Sequence, residues 1–420
     1  MPEAAVEAIQ PSRPARQASE TAEQTQHWRA GVYIIWLAQF LAITAFSFVM
    51  PFIPFFIREL GVTSENHVAI WSGLLVTGSG LTLALVSPLW GTLADRYGRK
   101  VMVQRAMFGG AVTLSLMGLV TNVHQLLALR LLQGAVTGTV TAALALVSSI
   151  TPKEHRGYTL GLMQMSIFAG AAIGPYLGGS LADHFGYRLP FAITGLLLFA
   201  AGALVMFGVQ EPRQRNGNGD AKATQATLSQ LLHMQGFPTL LAVFFLVSFA
   251  GMVVAPVFPL FVEKLLPNHD RVASMTGLLL AAGGVVSGIG AVVVGRFADR
   301  IGYRTLLFAC TLCSGLSCTG QAMAASLSQL FIIRVLFGFV AGGTGPTMNA
   351  LVASSAPDHA YGRAYGLTTS ASSVGTALGP LLGGLIACWL GLRAPFIVTG
   401  VMLMAISAAI ALRIRAKGPQ

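Results

Sequence analysis

Charged residues are scarce in this chain of 420 residues. Asp, Glu, Lys and Arg make up 10% of it, whereas hydrophobic residues make up 54% and the mean hydropathy is +0.69. So few charges cannot cover a soluble surface, which excludes a soluble globular protein and predicts a membrane protein. The apolar runs also lack the polar and apolar alternation of a transmembrane barrel, so they predict helices. At about 20 residues a span, the length allows roughly a dozen of them.

Acidic residues are missing from the interior of the apolar runs. All fifteen fall in tails, loops or span ends, although a carboxylate within a span is the usual proton carrier, because burial lets it titrate near neutral pH. Motifs of catalysis are absent too: there is no Gly-x4-Gly-Lys-Ser/Thr loop for ATP and no Ser/His/Asp or metal-ligand cluster. The four cysteines lie in apolar runs and are expected to serve packing. The sequence therefore predicts no enzyme, no metal and no cofactor.

The apolar runs predict an all-α membrane protein with twelve transmembrane helices in two six-helix halves. The spans are placed at 31–57, 68–92, 101–121, 124–148, 159–182, 190–209, 238–262, 272–295, 305–324, 327–351, 364–387 and 394–413. They form an N-terminal bundle at 31–209 and a C-terminal bundle at 238–413, joined by a polar linker at 210–237. The polar ends, 1–30 and 414–420, are predicted to be a disordered N-terminal tail and a short C-terminal tail.

Lys and Arg concentrate in the segments on the side of both termini, as in Arg96–Lys100. The loops of the other side carry only Arg58, Arg188, Lys264, Arg271 and Arg393. By the positive-inside rule both termini and the linker are cytoplasmic. The net charge of +11 is thus a feature of topology and does not indicate nucleic-acid binding.

An internal repeat relates the two halves. The segment Gly91–Lys100 returns as Gly295–Arg304 at an offset of 204, and Gly174-Pro175 returns as Gly379-Pro380 at an offset of 205. Since six spans separate the copies, both have the same orientation, and the halves are expected to be related by a pseudo-two-fold axis along the membrane normal.

These motifs resemble those of the major facilitator superfamily, and within it the twelve-span drug:proton antiporters of bacteria. The resemblance is carried by a loop motif (Gly91, Asp95, Arg96, Gly98, Arg99, Lys100), a fourth-span motif (Arg130, Gln133, Gly134), a fifth-span motif (Gly170, Gly174, Pro175, Gly178, Gly179) and a first-span motif (Pro51, Pro54). It implies a monomeric secondary exporter in the inner membrane. Amphipathic small molecules would leave by alternating access, driven by the proton gradient.

The resemblance also implies a cytoplasmic latch. In the family the loop aspartate docks at a helix N-terminus of the other half, where the helix dipole favours an anion. The expected latch residues are Gly91, Asp95, Arg96, Gly98, Arg99, Lys100 and the repeat copies Asp299 and Arg300. The alternative is a topogenic role, in which the basic residues only hold a tight loop inside.

A second expected site surrounds Arg130 near the outer end of the fourth span. The resemblance implies a role for Arg130 and Gln133 in coupling or binding, and the alternative is that Arg130 snorkels to the lipid headgroups. For the repeat partner Arg334, snorkelling is the favoured interpretation. We expect Glu59 or Asp183 to approach Arg130 and form an outer gate with it.

The glycine-rich fifth and eleventh spans are expected to be surfaces on which the halves meet and pivot, with ordinary helix packing as the alternative. The pivot residues are Gly170, Gly174, Pro175, Gly178, Gly179, Gly379 and Pro380. The expected substrate cavity is lined by Gln39, Thr44, Phe46, Gln164, Phe168, Met252, Met348 and Asn349, although any of these could instead pack helices or face lipid. Neutral or anionic amphiphiles are favoured over dications, since Arg130 repels a cation. Export of a specific metabolite and a non-transporting sensor remain alternatives.

Overall fold

The protein is helical throughout the part that the structure describes, which is residues 13–211, 237–267, 271–355 and 361–413 of a computed structural model. The helices of the N half are α1 Arg13–Phe48, α2 Ile53–Glu59, α3 Glu65–Tyr97, α4 Arg99–Met117, α5 Val123–Val136, α6 Thr139–Ile150, α7 Arg156–Phe185 and α8 Arg188–Gly208. Those of the C half are α9 Phe237–Val253, α10 Phe258–Leu265, α11 Val272–Ile301, α12 Tyr303–Met323, α13 Leu327–Gly342, α14 Thr344–Ser355, α15 Tyr361–Leu390 and α16 Ala394–Arg413.

Four of the spans are interrupted and contain two helices each: α1–α2, α5–α6, α9–α10 and α13–α14. In the first, Pro51 cannot continue a helical ladder, and α2 restarts with Pro54 in its first turn. In the fourth span Gly138 adopts φ +108°, a left-handed conformation that suits glycine. Counting each broken pair as one span gives twelve, which confirms the predicted fold class.

Eleven described stretches are long and apolar enough to cross a membrane. The remaining span, α4, is not among them, and its sequence includes Arg99, Lys100 and Arg105. Large apolar side chains such as Leu85, Phe207 and Leu412 are more than three-quarters exposed. An apolar exterior of this kind suits contact with the lipid bilayer.

The first helix begins earlier than the sequence predicts. Residues 13–30 belong to α1, so the prediction of a disordered tail at 1–30 is wrong over this part. Ala, Gln and Glu dominate the stretch after Pro14, and these residues favour helix even without an apolar face. Residues 1–12, most of the predicted linker and the predicted C-terminal tail lie outside the described residues.

The repeat is visible in the helix bounds. The helices α7 and α15 each have 30 residues, with Tyr361 following Arg156 at an offset of 205. The halves meet where α3 packs on α15 and where α7 packs on α11. We call the face with the loops at 97–98, 151–155, 209–211 and 302 the linker face. The face with the loops at 60–64, 118–122, 186–187, 324–326 and 391–393 is the distal face.

Candidate functional site

A cavity of about 80 Å³ lies between the two halves. It is built where the broken first and seventh spans face α3 and α5. Its lining comprises Phe46, Met50, Ile53, Pro54, Ser72, Val76, Ser79, Arg130, Ala255 and Pro256. Interrupted helices free the chain to line a cavity at membrane depth, and in transporters they mark binding sites.

Arg130 is the charged residue of this cavity. Its Nη1 donates a hydrogen bond of 3.0 Å to Oε1 of Gln133, one turn further along α5. Its Nε is shielded from solvent and has no hydrogen-bond partner among the described residues. Arg130 thus contacts the other polar residue of the fourth-span motif, and its side chain does not snorkel to the headgroups. The coupling or binding role of the two residues stays a prediction.

Two further guanidinium groups lie inside the helix bundle, and both rest on aromatic rings. Cζ of Arg105 is 3.6 Å from the ring centre of Trp90, and Cζ of Arg334 is 4.5 Å from that of Phe258. Such contacts stabilise a cation away from water. The preferred interpretation of Arg334 as a snorkelling residue is therefore wrong, because it packs inward between Phe258 and Phe337.

Arg105 also holds the break in the fourth span. Its Nη2 donates to the carbonyl of Thr137 at 3.1 Å, and Nε1 of Trp90 donates to the carbonyl of Ala135 at 2.7 Å. These carbonyls belong to the C-terminal end of α5, where a cation is favoured. Sequence reasoning gave Arg105 no role and missed this contact.

An ion pair joins the halves at the distal face. Nη1 of Arg58, at the end of α2, lies 2.6 Å and 2.8 Å from the two carboxylate oxygens of Glu263 in α10. The two residues are 205 positions apart, which is the repeat offset, so they occupy equivalent places in the two halves. Equivalent residues can touch only close to the pseudo-two-fold axis, and this pair therefore closes the centre of the distal face.

A second contact joins the halves at the same face. The carboxylate of Asp183, near the end of α7, accepts hydrogen bonds from the main-chain N–H groups of Ala273 at 3.2 Å and Ser274 at 2.7 Å, and from the Ser274 hydroxyl. Ala273 and Ser274 lie in the first turn of α11, whose free N–H groups and dipole favour an anion. We call Arg58, Glu263, Asp183 and Ser274 the distal gate.

Tyr187 lies against this gate, and the charges of the gate shift its pKa. Its ring stacks on Phe52 with 5.9 Å between the ring centres. Burial raises the pKa of Tyr187, and the nearby carboxylates of Asp183 and Glu263 raise it further. The distal face thus brings together acids from both halves around one aromatic cluster.

The predicted outer gate of Arg130 with Glu59 or Asp183 is wrong. Oε1 of Glu59 accepts from Nε of Arg188 at 3.0 Å, within the N half, and Asp183 caps α11. In the described part of the chain no carboxylate lies within ion-pair distance of Arg130. The reason is depth: these acids sit on the last turns of their helices, whereas Arg130 points into the cavity below.

The α7–α11 crossing opens toward the linker face. Gly277, Gly284 and Gly288 share one face of α11. A Cβ added to Gly277 would lie 2.2 Å from the carbonyl oxygen of Pro175, and one added to Gly284 would lie 3.4 Å from Cα of Ala172. At Gly288 a Cβ would meet no described atom within 4 Å. The two helices therefore touch at the distal end and diverge below it.

The α3–α15 crossing has the same shape. On one face of α3, a Cβ added to Gly73 would lie 2.4 Å from the carbonyl oxygen of Pro380, and one added to Gly80 would lie 3.2 Å from Cβ of Ala377. At Gly91, nearest the linker face, the space within 4 Å holds no described atom. Both crossings thus give a bundle that is closed distally and open toward the linker face.

The predicted pivot residues fall into two groups, one with contacts inside a half and one with contacts between the halves. Gly170, Gly174 and Gly178 approach the backbone of α1, and Gly379 approaches that of α9, all within one half. The prediction that they form the surface between halves is wrong for these four, because helices of one half pack on the same small-residue stripe. Gly179, Pro175 and Pro380 do face the other half, at Ala273, Gly277 and Gly73.

The loop predicted to be a latch is held within the N half by a residue that sequence reasoning left in the linker. The Glu211 carboxylate accepts from the N–H groups of Arg99 at 2.9 Å and Lys100 at 2.8 Å. Nη1 of Arg99 also donates to the carbonyl of Ala145. Gly98, at φ +96°, leaves room for this cap, since a Cβ there would lie 3.0 Å from Glu211 Oε2.

The other latch side chains that the structure describes make no contact between the halves. Cζ of Arg96 lies 5.4 Å from the ring centre of the neighbouring Tyr97, and Arg300 is exposed. The side chains of Asp95 and Asp299 lie outside what the structure describes, so docking of these acids stays a prediction.

Of the predicted cavity residues, Phe46 lines the cavity between the halves. Gln39, Thr44 and Met348 are wrong as lining residues because they are at most 5% exposed; Thr44 donates to the carbonyl of Phe40, and Met348 packs in the C-half core. Gln164, Phe168 and Asn349 are exposed, and Met252 is half-buried beside Gly379. Side chains at 3.6 residues per turn point in all directions, and the sequence did not show which direction faces the other half.

A larger cavity of about 280 Å³ lies at the linker face inside the N half, between α1 and the start of α7. Its lining includes Trp28, Tyr33 and His155, and the rings of Trp28 and His155 stack with 5.3 Å between centres. Its lining belongs to the N half alone, so it does not lie between the halves.

Comparison with known proteins places this architecture among transporters. The profile of the Major Facilitator Superfamily matches residues 35–266 and 268–420. The chain is 33% identical over 384 residues to multidrug resistance protein MdtG of Yersinia enterocolitica, covering 91% of this chain and 93% of the relative. It is 32% identical over 395 residues to the protein of that name in Klebsiella pneumoniae, covering 94% and 96%.

Solved structures share the fold at low sequence identity. A bacterial homologue of the human lysosomal transporter Spinster, in an inward-facing and occupied conformation, has a TM-score of 0.77 at 15% identity, covering 96% of this chain and 97% of that one. A D-xylose–proton symporter has a TM-score of 0.78 at 14% identity, covering 94% and 100%.

Proposed function

The chain belongs to the major facilitator superfamily, and from this membership we propose that it exports drug-like amphipathic molecules by alternating access, driven by the proton gradient. The relatives named as multidrug resistance proteins support the cargo, since they align with more than nine-tenths of the chain. The resemblance to drug:proton antiporters supports the energy source.

The observation that carries the proposal is a cavity between the halves that is closed on one side only. Above it the distal gate ties α2 to α10 and α7 to α11. Below it the same interface helices diverge. A transporter of this fold works by rocking two rigid halves around a central site, so one state must have this geometry.

We further propose that the linker face is cytoplasmic, because Arg and Lys concentrate there. The geometry then corresponds to an inward-open state, ready to take up substrate from the cytoplasm or the inner leaflet. Export requires the distal gate to break and the linker-side ends of α3, α7, α11 and α15 to close.

The test measures efflux of dyes and drugs from cells that overexpress the chain, against cells with an empty vector, with and without a protonophore. Reduced accumulation that the protonophore abolishes is expected. Unchanged accumulation of every compound would refute drug export and leave metabolite export or a sensor. Efflux that persists with the protonophore would refute proton coupling while leaving export intact.

A further inference from the structure

We propose that Arg130 binds the acidic headgroup of the exported molecule, so that this transporter prefers amphipathic anions, such as carboxylates, to neutral or cationic amphiphiles of the same shape. The proposal rests on the proposed export function and names the substrate class of that site.

The first argument is the way in which the buried guanidinium groups are compensated. Arg105 rests on Trp90, Arg334 rests on Phe258 and Phe337, and the distal Arg58 pairs with Glu263. Arg130 has only the amide oxygen of Gln133. Among the described residues it has no carboxylate and no ring to offset its charge. Its Nε is buried without a hydrogen-bond partner, as are Nε of Arg334 and both Nε and Nη1 of Arg105, so what distinguishes Arg130 from those two residues is the missing aromatic ring.

The second argument is the cavity that this side chain faces. An unpaired charge inside a span is unfavourable, and a buried donor without an acceptor adds to that cost. An anion entering the cavity removes both penalties. The fork of N–H donors on a guanidinium also matches the two oxygens of a carboxylate.

The other polar side chains of the cavity already have hydrogen-bond partners and do not occupy the position next to Arg130 that is proposed for the anion. The hydroxyls of Ser72 and Ser79 donate to the carbonyls of Val68 and Val76 in their own helix. Asp183 and Glu263, which lie on the distal side of the cavity, already bind Ser274 and Arg58 in the distal gate. A cationic ligand would therefore meet Arg130 without a counter-charge.

The walls and size of the cavity define the rest of the ligand. Phe46, Met50 and Val76 provide apolar surface, which suits an aliphatic or aromatic body. A volume of about 80 Å³ exceeds the roughly 30 Å³ share of one water molecule and fits a carboxylate with its adjoining carbons. The remainder of the molecule would extend toward the open linker side.

The experiment compares three probes with one apolar body: pyrenebutyrate, pyrenebutanol and pyrenebutyl-trimethylammonium. Their affinity for the purified full-length protein in detergent is measured by fluorescence anisotropy. We expect pyrenebutyrate to bind about 10- to 100-fold more tightly than pyrenebutanol, the range for hydrogen bonds to a charged group, and the cation to bind most weakly.

Arg130→Gln is expected to remove this preference, Arg130→Lys to keep part of it, and Arg334→Gln, at the repeat-equivalent position, to leave it intact. Binding of pyrenebutanol to each variant reports that the cavity is folded. Equal affinity of the wild type for all three probes would overturn the proposal, as would a preference for the anion that survives in Arg130→Gln. Dye efflux without anion preference would refute only this inference, whereas anion-selective binding without any efflux would refute only the proposed function.

Discussion

Replacing Asp183 by Asn should shift the protein toward a state that is open at the distal face. The carboxylate accepts three hydrogen bonds across the halves, from Ala273 N, Ser274 N and Ser274 Oγ. These bonds exist only while the face is closed. Asn has the same size but no charge, and its NH2 group replaces one of the two accepting oxygens, so it loses at least one of these hydrogen bonds, the charge-assisted part of the others and the interaction with the α11 dipole.

The distally closed state therefore loses about 1–2 kcal/mol of free energy relative to the open state. This changes the ratio of closed to open molecules by a factor of about 5–30. The assay is the distribution of distances between spin labels on cysteines introduced at Thr121 and Ala325, which are exposed distal residues of opposite halves, in a background without the native cysteines. In Asp183→Asn the population with the longer distance should increase.

Glu59→Gln provides the matched control. Glu59 is also an acid of the distal face, but its partner Arg188 belongs to the same half, so its loss should leave the distances unchanged. An unchanged distribution in Asp183→Asn, or an equal shift in Glu59→Gln, would refute the assignment of Asp183 to the gate.

Three further predictions concern the same movement and the stability of the N half. Glu263→Gln should favour the distal-open state by up to about fivefold, because the pair with Arg58 is partly exposed; exchanging the two residues should restore the wild-type distances, and failure to do so would argue against a direct pair. Gly277→Leu should prevent distal closure, since its Cβ would lie 2.2 Å from a main-chain oxygen, whereas Gly288→Leu, with open space around it in this distally closed state, should leave the distal face closed; equal spin-label distances in the two variants would contradict the packing argument. Glu211→Ala should lower stability by about 0.5–2 kcal/mol, as for the loss of a helix cap, visible as a lower unfolding temperature in detergent, and an unchanged temperature would contradict the cap.

The span pattern and the repeat could be predicted from the sequence because both depend on properties that are local and additive. About 20 apolar residues make a span wherever they occur, and the shared offset fixes the relation of the halves. The breaks were harder to predict. Gly138 takes a left-handed conformation that ends α5, but it is one of 48 glycines, and nothing in its neighbours distinguishes it.

The gate could be predicted only in part. The sequence gives the height of a residue in the membrane better than it gives the direction in which the side chain points from its helix. Asp183 lies near the end of its span, as predicted, but its partner is the α11 backbone, and N–H groups carry no sequence signal. A signal for the other half of the gate did exist: Arg58 and Glu263 have opposite charges at the repeat offset. Arg105 and Glu211 were missed because a cation near the end of a span and an acid at the start of a polar linker are both common.

The position of the Arg58–Glu263 pair has a consequence for the history of the chain. In a symmetric dimer of identical six-helix units, a residue beside the two-fold axis faces its own copy, so an arginine there would meet an arginine and a glutamate a glutamate. An attractive pair at this place requires two different codons. This contact therefore became possible only after the two copies of the repeat had diverged in sequence.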